Sequence, residues 1–265
     1  MKQTFLKCLS GALVMGILIT ACKKNADVIH NEEPGVSQTA LDKIYALGFS
    51  NKNVVKDGDG YVVEGDIYLS EKDLNSKPEM VFLRVGQEEQ YRTMNIVRAP
   101  REITVSIASK LPSSYVAALD EALARYNAEN LTITFRRVSS GANISIVSAG
   151  GNFLASAGFP SSTGAPYSQI KVNSRAIGNQ PQSTVATILA HEIGHCIGFR
   201  HTDYYNRAIS CGGAASNEGA STVGAILIPG TPSTAEKGSF MLACIGSGEN
   251  RPFTSNDKTA LDYMY

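Results

Sequence analysis

Three of the chain's four histidines fall between positions 191 and 201, in the run HEIGHCIGFRHTD, with Glu192 beside the first. On a helix, His191 and His195 lie about 40° apart in projection and one turn apart along the axis, so both imidazoles leave the same side. Zinc takes nitrogen ligands in a compact tetrahedron, and a catalytic zinc keeps one position for water. Gly198 allows the chain to reverse, which brings His201 back as a third ligand. Three neutral imidazoles leave the ion its full charge and shift the pKa of water in the fourth position toward neutrality. Glu192 then flanks the water rather than the metal, placed to take a proton during attack on a carbonyl and pass it to the departing amine. The sequence thus predicts one catalytic zinc ion on His191, His195 and His201, with Glu192 as general base. A short HExxH occurs by chance; the full HExxHxxGxxH in a histidine-poor chain argues against chance here.

These side chains need a helix and something to hold it. PQSTVATILAHEIGHCIG reads as a helix of about fourteen residues, capped near Ser183 after Pro181 and ended by Gly198. Val185, Leu189, Ile193 and Cys196 form a second stripe nearly opposite the histidines, which predicts one buried face and one turned to a cleft. Gly194 leaves room for a close neighbour. Upstream, Ile103, Val105 and Ile107 alternate as a strand, and Val116, Leu119, Leu123 and Tyr126 follow at helical spacing after a serine cap. Leu131, Ile133 and Phe135 alternate next, then Ile144 and Ile146, a glycine-rich loop to Pro166 and a short strand SQIKVN. Strands interleaved with helices predict a mixed sheet with helices against it, an α+β domain.

The first residues read as a targeting segment. MKQTFLK is basic, CLSGALVMGILIT is an apolar run of signal-peptide length, and ITAC sets small residues before Cys22. The pattern resembles a bacterial lipoprotein signal. That resemblance implies removal of residues 1–21, acylation of Cys22 and a membrane anchor in the cell envelope, with Lys23 and Lys24 favouring the outer membrane, facing the periplasm or the surface; release after processing is the other course. An ordinary secretory signal with a chance cysteine is the alternative. Of the five cysteines, Cys8 leaves with the signal and Cys22 carries lipid. Cys196 lies in the helix as a buried thiol, and Cys211 and Cys244, both in glycine-rich loop sequence, are expected to pair. Lysine plus arginine equals aspartate plus glutamate at 24 each, so nothing draws the chain to nucleic acid. The doublet Arg136–Arg137 reads as solvated surface. After Cys22 come a polar tether, a helix around Leu41, Ile44 and Leu47 stopped by Gly48, a DGDG turn feeding YVVEGDIYLS, and a second helix capped by Ser70, a piece too short for a rich core. The charged run RVGQEEQYRTMN marks a connection near residues 86 to 99.

The motif HEIGHCIGFRHTD is that of the metzincin clan of zinc endopeptidases. With SCGG and SFMLACIG, the HEIGH form resembles the HEIGH-motif metallopeptidases of bacteria, over roughly residues 100 to 265. The resemblance implies a twisted sheet above the active-site helix, a small irregular C-terminal subdomain below, and a substrate cleft between. It also implies a methionine turn beneath the metal, for which GSFMLAC offers Met241 ahead of Met264. Where the astacin branch has a tyrosine two residues after that methionine, this chain has Ala243; Tyr204 and Tyr205 are the stand-ins weighed for it. SQIKVN is expected as the sheet edge along which substrate lies. VEGDI resembles the aspartate-switch segment of astacin propeptides, making Asp66 a zinc-blocking ligand. The expected organisation is a signal (1–21), a tether and inhibitory pro-region (22–92) and a zinc metallopeptidase domain (93–265). The expected activity is peptide-bond hydrolysis of protein or peptide substrates by a lipid-anchored proenzyme. Rival readings are a binding lipoprotein with a structural zinc and a zinc amidase acting on cell-wall material. Nothing in the sequence fixes oligomeric state.

Overall fold

In the computed structural model the described residues are 35–75, 90–215, 217, 225–232 and 234–265, all within one compact unit. The signal segment, Cys22, the tether and much of the charged connection lie outside them. Ser37 accepts the Ala40 N–H and opens helix α1 (Gln38–Ala46), which buries Ala40, Leu41 and Ile44 on one face. Strands β1 (Val55–Asp57), β2 (Gly60–Val63) and β3 (Ile67–Ser70) follow as an antiparallel meander. A side chain at Gly60 would come within 2.3 Å of the Leu69 carbonyl oxygen, so this close crossing requires glycine. Ser70 and Asp73 then cap helix α2 (Glu71–Leu74) reciprocally, as the spacing SEKD predicts. The expected thin core is corrected: Leu41, Ile44, Phe49, Val63, Ile67 and Leu69 build a closed cluster. Phe159, from far along the chain, stacks on Phe49 to complete it.

After the two-residue strand β4 (Tyr91–Arg92) come β5 (Arg101–Ile107), helix α3 (Ser114–Asn127), β6 (Ile133–Arg137), β7 (Ile144–Ser148), β8 (Ala155–Ser156) and β9 (Gln169–Val172). The five-stranded sheet runs β6-β5-β7-β9-β8, parallel except for β8. Ile103, Val105, Ile133, Phe135, Ile144 and Ile146 face one core with Leu119, Leu123 and Tyr126 of α3; Val116 is only half-buried there. The expectation that SQIKVN forms the edge is corrected, because β8 pairs with it on its open side. Two residues are too few for alternation to betray a strand. Beyond β8, Ile67 of β3 bridges Ala157 in parallel. The Ala157 N–H donates to the Asp66 carbonyl at 2.9 Å, and the Tyr68 N–H to the Ala157 carbonyl at 2.7 Å. The N-terminal meander therefore docks on the chain just past β8, at the outer side of the sheet, while β8 itself covers the edge that the substrate was expected to use. Arg136 and Arg137 pair with Glu102 and Asp120 on the surface.

Helix α4 (Ser174–Ile177) leads into α5 (Gln182–Ile197), sixteen residues capped by Pro181 rather than Ser183. Gly198 ends it at φ +117°, the left-handed exit that glycine takes without a Cβ penalty. The half-open helix expected from the stripes is corrected too: every residue from Thr184 to Ile197 is buried. The helix is enclosed because Tyr126 of α3, Phe240 and Met241 of the later chain, and Asp66 of the N-terminal part meet its sides. Helix α6 (Ala208–Cys211), strand β10 (Ile226–Leu227), which pairs with β4, and helix α7 (Ser255–Met264) complete the chain. The result is a mixed α+β fold in which the last third is mostly irregular. None of the described helices is long and apolar enough to cross a membrane.

Candidate metal centre

His191 Nδ1 lies 2.8 Å from the Phe240 carbonyl oxygen, and His195 Nδ1 lies 2.8 Å from that of Phe199. A carbonyl oxygen only accepts, so each Nδ1 carries the ring proton and each Nε2 turns a lone pair inward. His195 Nε2 is 3.2 Å from His201 Nε2, and the ligand atoms of Asp66, His191, His195 and His201 all lie within 4.8 Å of one another. Burial, with the charges of His191 and His201, holds His195 well below the usual imidazole range, so it stays neutral. Buried lone pairs that face one another repel unless a cation sits among them. Three imidazoles and a carboxylate are a donor set for zinc, and the residues fit one such ion.

Asp66 enters from the loop between β2 and β3. Its carboxylate stands 3.1 Å from His201 Nε2, 3.4 Å from His191 Nε2 and 4.0 Å from His195 Nε2. Burial alone would push this carboxyl up, but His201, His191 and His195 together hold it well below the usual range. Glu192 behaves oppositely. It is buried, its Oε2 has no hydrogen-bond partner among the described residues, and burial followed by the Asp66 charge raises its carboxyl well above the usual value. Beside them opens a cavity of about 250 Å³ bordered by Asp66, His191 and Glu192, with Leu154, Ile188 and Leu242 in its apolar wall.

Of the other residues singled out in the sequence, Met241 is fully buried, and its Sδ lies 2.5 Å from where a Cβ on Gly194 would stand. It thus packs under the turn of α5 between His191 and His195. Met264 closes α7 in the same core. The Ala243 N–H donates to Asp203 Oδ1 at 2.9 Å. Tyr204 packs edge-on against Tyr91, and Tyr205 Oη accepts the Ala235 N–H. Cys211 and Cys244 form a disulfide, and Cys196 is a buried free thiol.

Three residues carry the site without a sequence signal. Asp257 accepts from Ser239 Oγ at 2.7 Å and from the Phe240 N–H at 3.3 Å, which ties the peptide that orients His191 to the first turn of α7. Arg200, next to His201, pairs with Glu64, a partner 136 positions away. Long-range pairs of this kind have no local periodicity to reveal them.

A family model described as dual-action HEIGH metallo-peptidase matches residues 61–265. Comparison with curated proteins finds no match. Among solved structures, one titled Structure of Myroilysin is 16% identical, the alignment covering 64% of this chain and 82% of that one with a TM-score of 0.42.

Proposed function

The chain belongs to the dual-action HEIGH metallo-peptidase family, and we therefore propose that this zinc metallopeptidase is made as a latent, lipid-anchored proenzyme cutting internal peptide bonds in the bacterial cell envelope. One observation carries the latency: the Asp66 carboxylate stands among the three imidazoles, where water would have to enter. The family match begins at residue 61 and so takes in the segment that bears Asp66. Lipid anchoring rests on Cys22 and its flanking sequence, and the division into signal (1–21), pro-region (22–92) and peptidase domain (93–265) rests on the same reading.

Zinc held by His191, His195 and His201 supplies a Lewis acid that polarises the scissile carbonyl and acidifies water. Glu192 does the proton work. Its buried carboxylate, with Oε2 free of a hydrogen-bond partner among the described residues and bordering the cavity beside His191, is placed to take a proton from water once Asp66 has left and to return it to the departing amine. The carbonyls of Phe240 and Phe199 hold His191 and His195 in one tautomer throughout. A purely structural zinc would give Glu192 no task. The apolar wall beside Glu192 suits an uncharged side chain next to the cut.

The test compares casein hydrolysis by full-length protein, by Asp66→Ala and by the double variant Asp66→Ala/Glu192→Gln. Asp66→Ala should raise hydrolysis and the added Glu192→Gln should abolish it; unchanged latency in Asp66→Ala would discard the switch. Peptidoglycan serves as the parallel substrate, and preferential release from it would replace the endopeptidase reading by the amidase one. Mass spectrometry of membrane-fractionated protein should find acyl chains on Cys22, and a Cys22→Ser variant should leave the membrane fraction.

A further inference from the structure

Arg200 is completely buried. Its Nη2 donates to Glu64 Oε2 at 2.9 Å, with both side chains at 0% exposure, and its guanidinium lies 4.7 Å from the Phe49 ring centre and 5.9 Å from that of Tyr204. The carboxylate and the Phe49 ring both belong to the N-terminal part, whereas Arg200 stands directly before the ligand His201. Glu64 is held at two further points: Ser50 N–H donates to its Oε1 at 3.2 Å, and Arg207 Nη1 donates to its carbonyl oxygen. It also adopts φ +55°, a conformation that a glutamate takes only when its surroundings impose it. One inhibitory segment thus sets two acids, Asp66 and Glu64, against two consecutive peptidase residues, His201 and Arg200.

We propose that Arg200 is a specificity subsite for an acidic substrate side chain, occupied in the latent chain by Glu64 as Asp66 occupies the metal position. The proposal rests on the latency reading above. A guanidinium offers a planar fork that matches a carboxylate and stacks on aromatic rings, a geometry lysine or glutamine cannot copy. Departure of the pro-region takes away the Glu64 carboxylate and the Phe49 ring while Tyr204 stays. The guanidinium, which lies outside the lining of the cavity beside Glu192, is then uncovered next to His201, and a substrate carboxylate replaces the one removed.

The experiment uses full-length protein, folded and then activated by limited trypsin digestion. Quenched peptides differ only in carrying glutamate or glutamine at a single position scanned along the peptide. At one position glutamate should raise kcat/KM about tenfold over glutamine, with the ratio shrinking as salt is added. Arg200→Gln should bring that ratio to one. A synthetic peptide of residues 60–70 should inhibit the activated enzyme, and its Glu64→Gln form should be about tenfold weaker. Equal kcat/KM for glutamate and glutamine at every position, or equal inhibition by both peptides, overturns the subsite even if Arg200→Gln does not fold. The latency reading fails separately, on full-length Asp66→Ala that is no more active than the parent.

Discussion

Glu192 is the single residue on which the proposed mechanism turns. Its carboxyl is buried, Oε2 has no hydrogen-bond partner among the described residues, and it borders the cavity beside His191, a placement that suits the general base proposed above. Glutamine keeps the shape and loses the basicity. In activated protein, Glu192→Gln should therefore lower kcat by about 10²- to 10⁴-fold, while zinc content measured by elemental analysis stays at one ion per chain. Loss of the metal in that variant would mean that Glu192 supports the ligands rather than the chemistry. His191, His195 and Glu192 are legible in the sequence because helical spacing puts them together, and His201 because Gly198 marks the reversal that returns it. Asp66 was legible only through resemblance, since 125 positions separate it from His191. Glu64, Arg200 and Asp257 were not legible at all, because an isolated acid or arginine carries no period and its meaning lies in its distant partner.

At the scale of elements, the active-site helix was readable in type and nearly in extent, while its surroundings were not. Amphipathic stripes predict a half-open helix, yet α5 is enclosed because distant parts of the chain cover it, Asp66 and Tyr126 from before it and Phe240 and Met241 from after it. The later segment explains Gly194: an added Cβ would come within 2.5 Å of Met241 Sδ and 3.0 Å of Phe240. Gly194→Ala should cost about 1–3 kcal/mol by forcing Met241 aside, seen as a lower melting temperature, and should reduce activity through the displaced His191–Phe240 contact. The Cys211–Cys244 bridge closes a loop with a sequence separation of 33. It staples the start of the irregular last third to the Met241 segment. Converting both cysteines to serine should destabilise by about 3–4 kcal/mol on loop-closure grounds, measurable by denaturant unfolding of the oxidised parent beside the variant. The sequence puts SQIKVN at the edge for a simple reason: β8, which covers it, is two residues long, and a strand that short has no pattern.

For the molecule as a whole, the proposed latency makes docking of the N-terminal part and metal binding thermodynamically linked. The N-terminal meander docks through the β3 bridge to Ala157, the Lys171–Asp57 ion pair at 2.7 Å and the two acids of the β2–β3 loop. A zinc ion bound by three imidazoles and Asp66 is held by more ligands than one left with imidazoles alone. Coupling is reciprocal, so whatever Asp66 adds to zinc affinity, zinc adds to the docking of the pro-region. Full-length protein should therefore bind zinc more tightly than full-length Asp66→Ala in competition with a chromophoric chelator, by about tenfold or more. Stripping the ion should lower the melting temperature of the parent further than that of the variant, because stabilisation by a ligand grows with its affinity for the folded state. Limited proteolysis gives the same comparison without calorimetry: after chelation the parent's N-terminal part should be cut as fast as that of Asp66→Ala, and restoring zinc should protect the parent alone. Equal zinc affinity in the two proteins, with equal loss of stability on chelation, would show that Asp66 rests near the imidazoles without sharing the ion, and the proposed latency would lose its chemical basis.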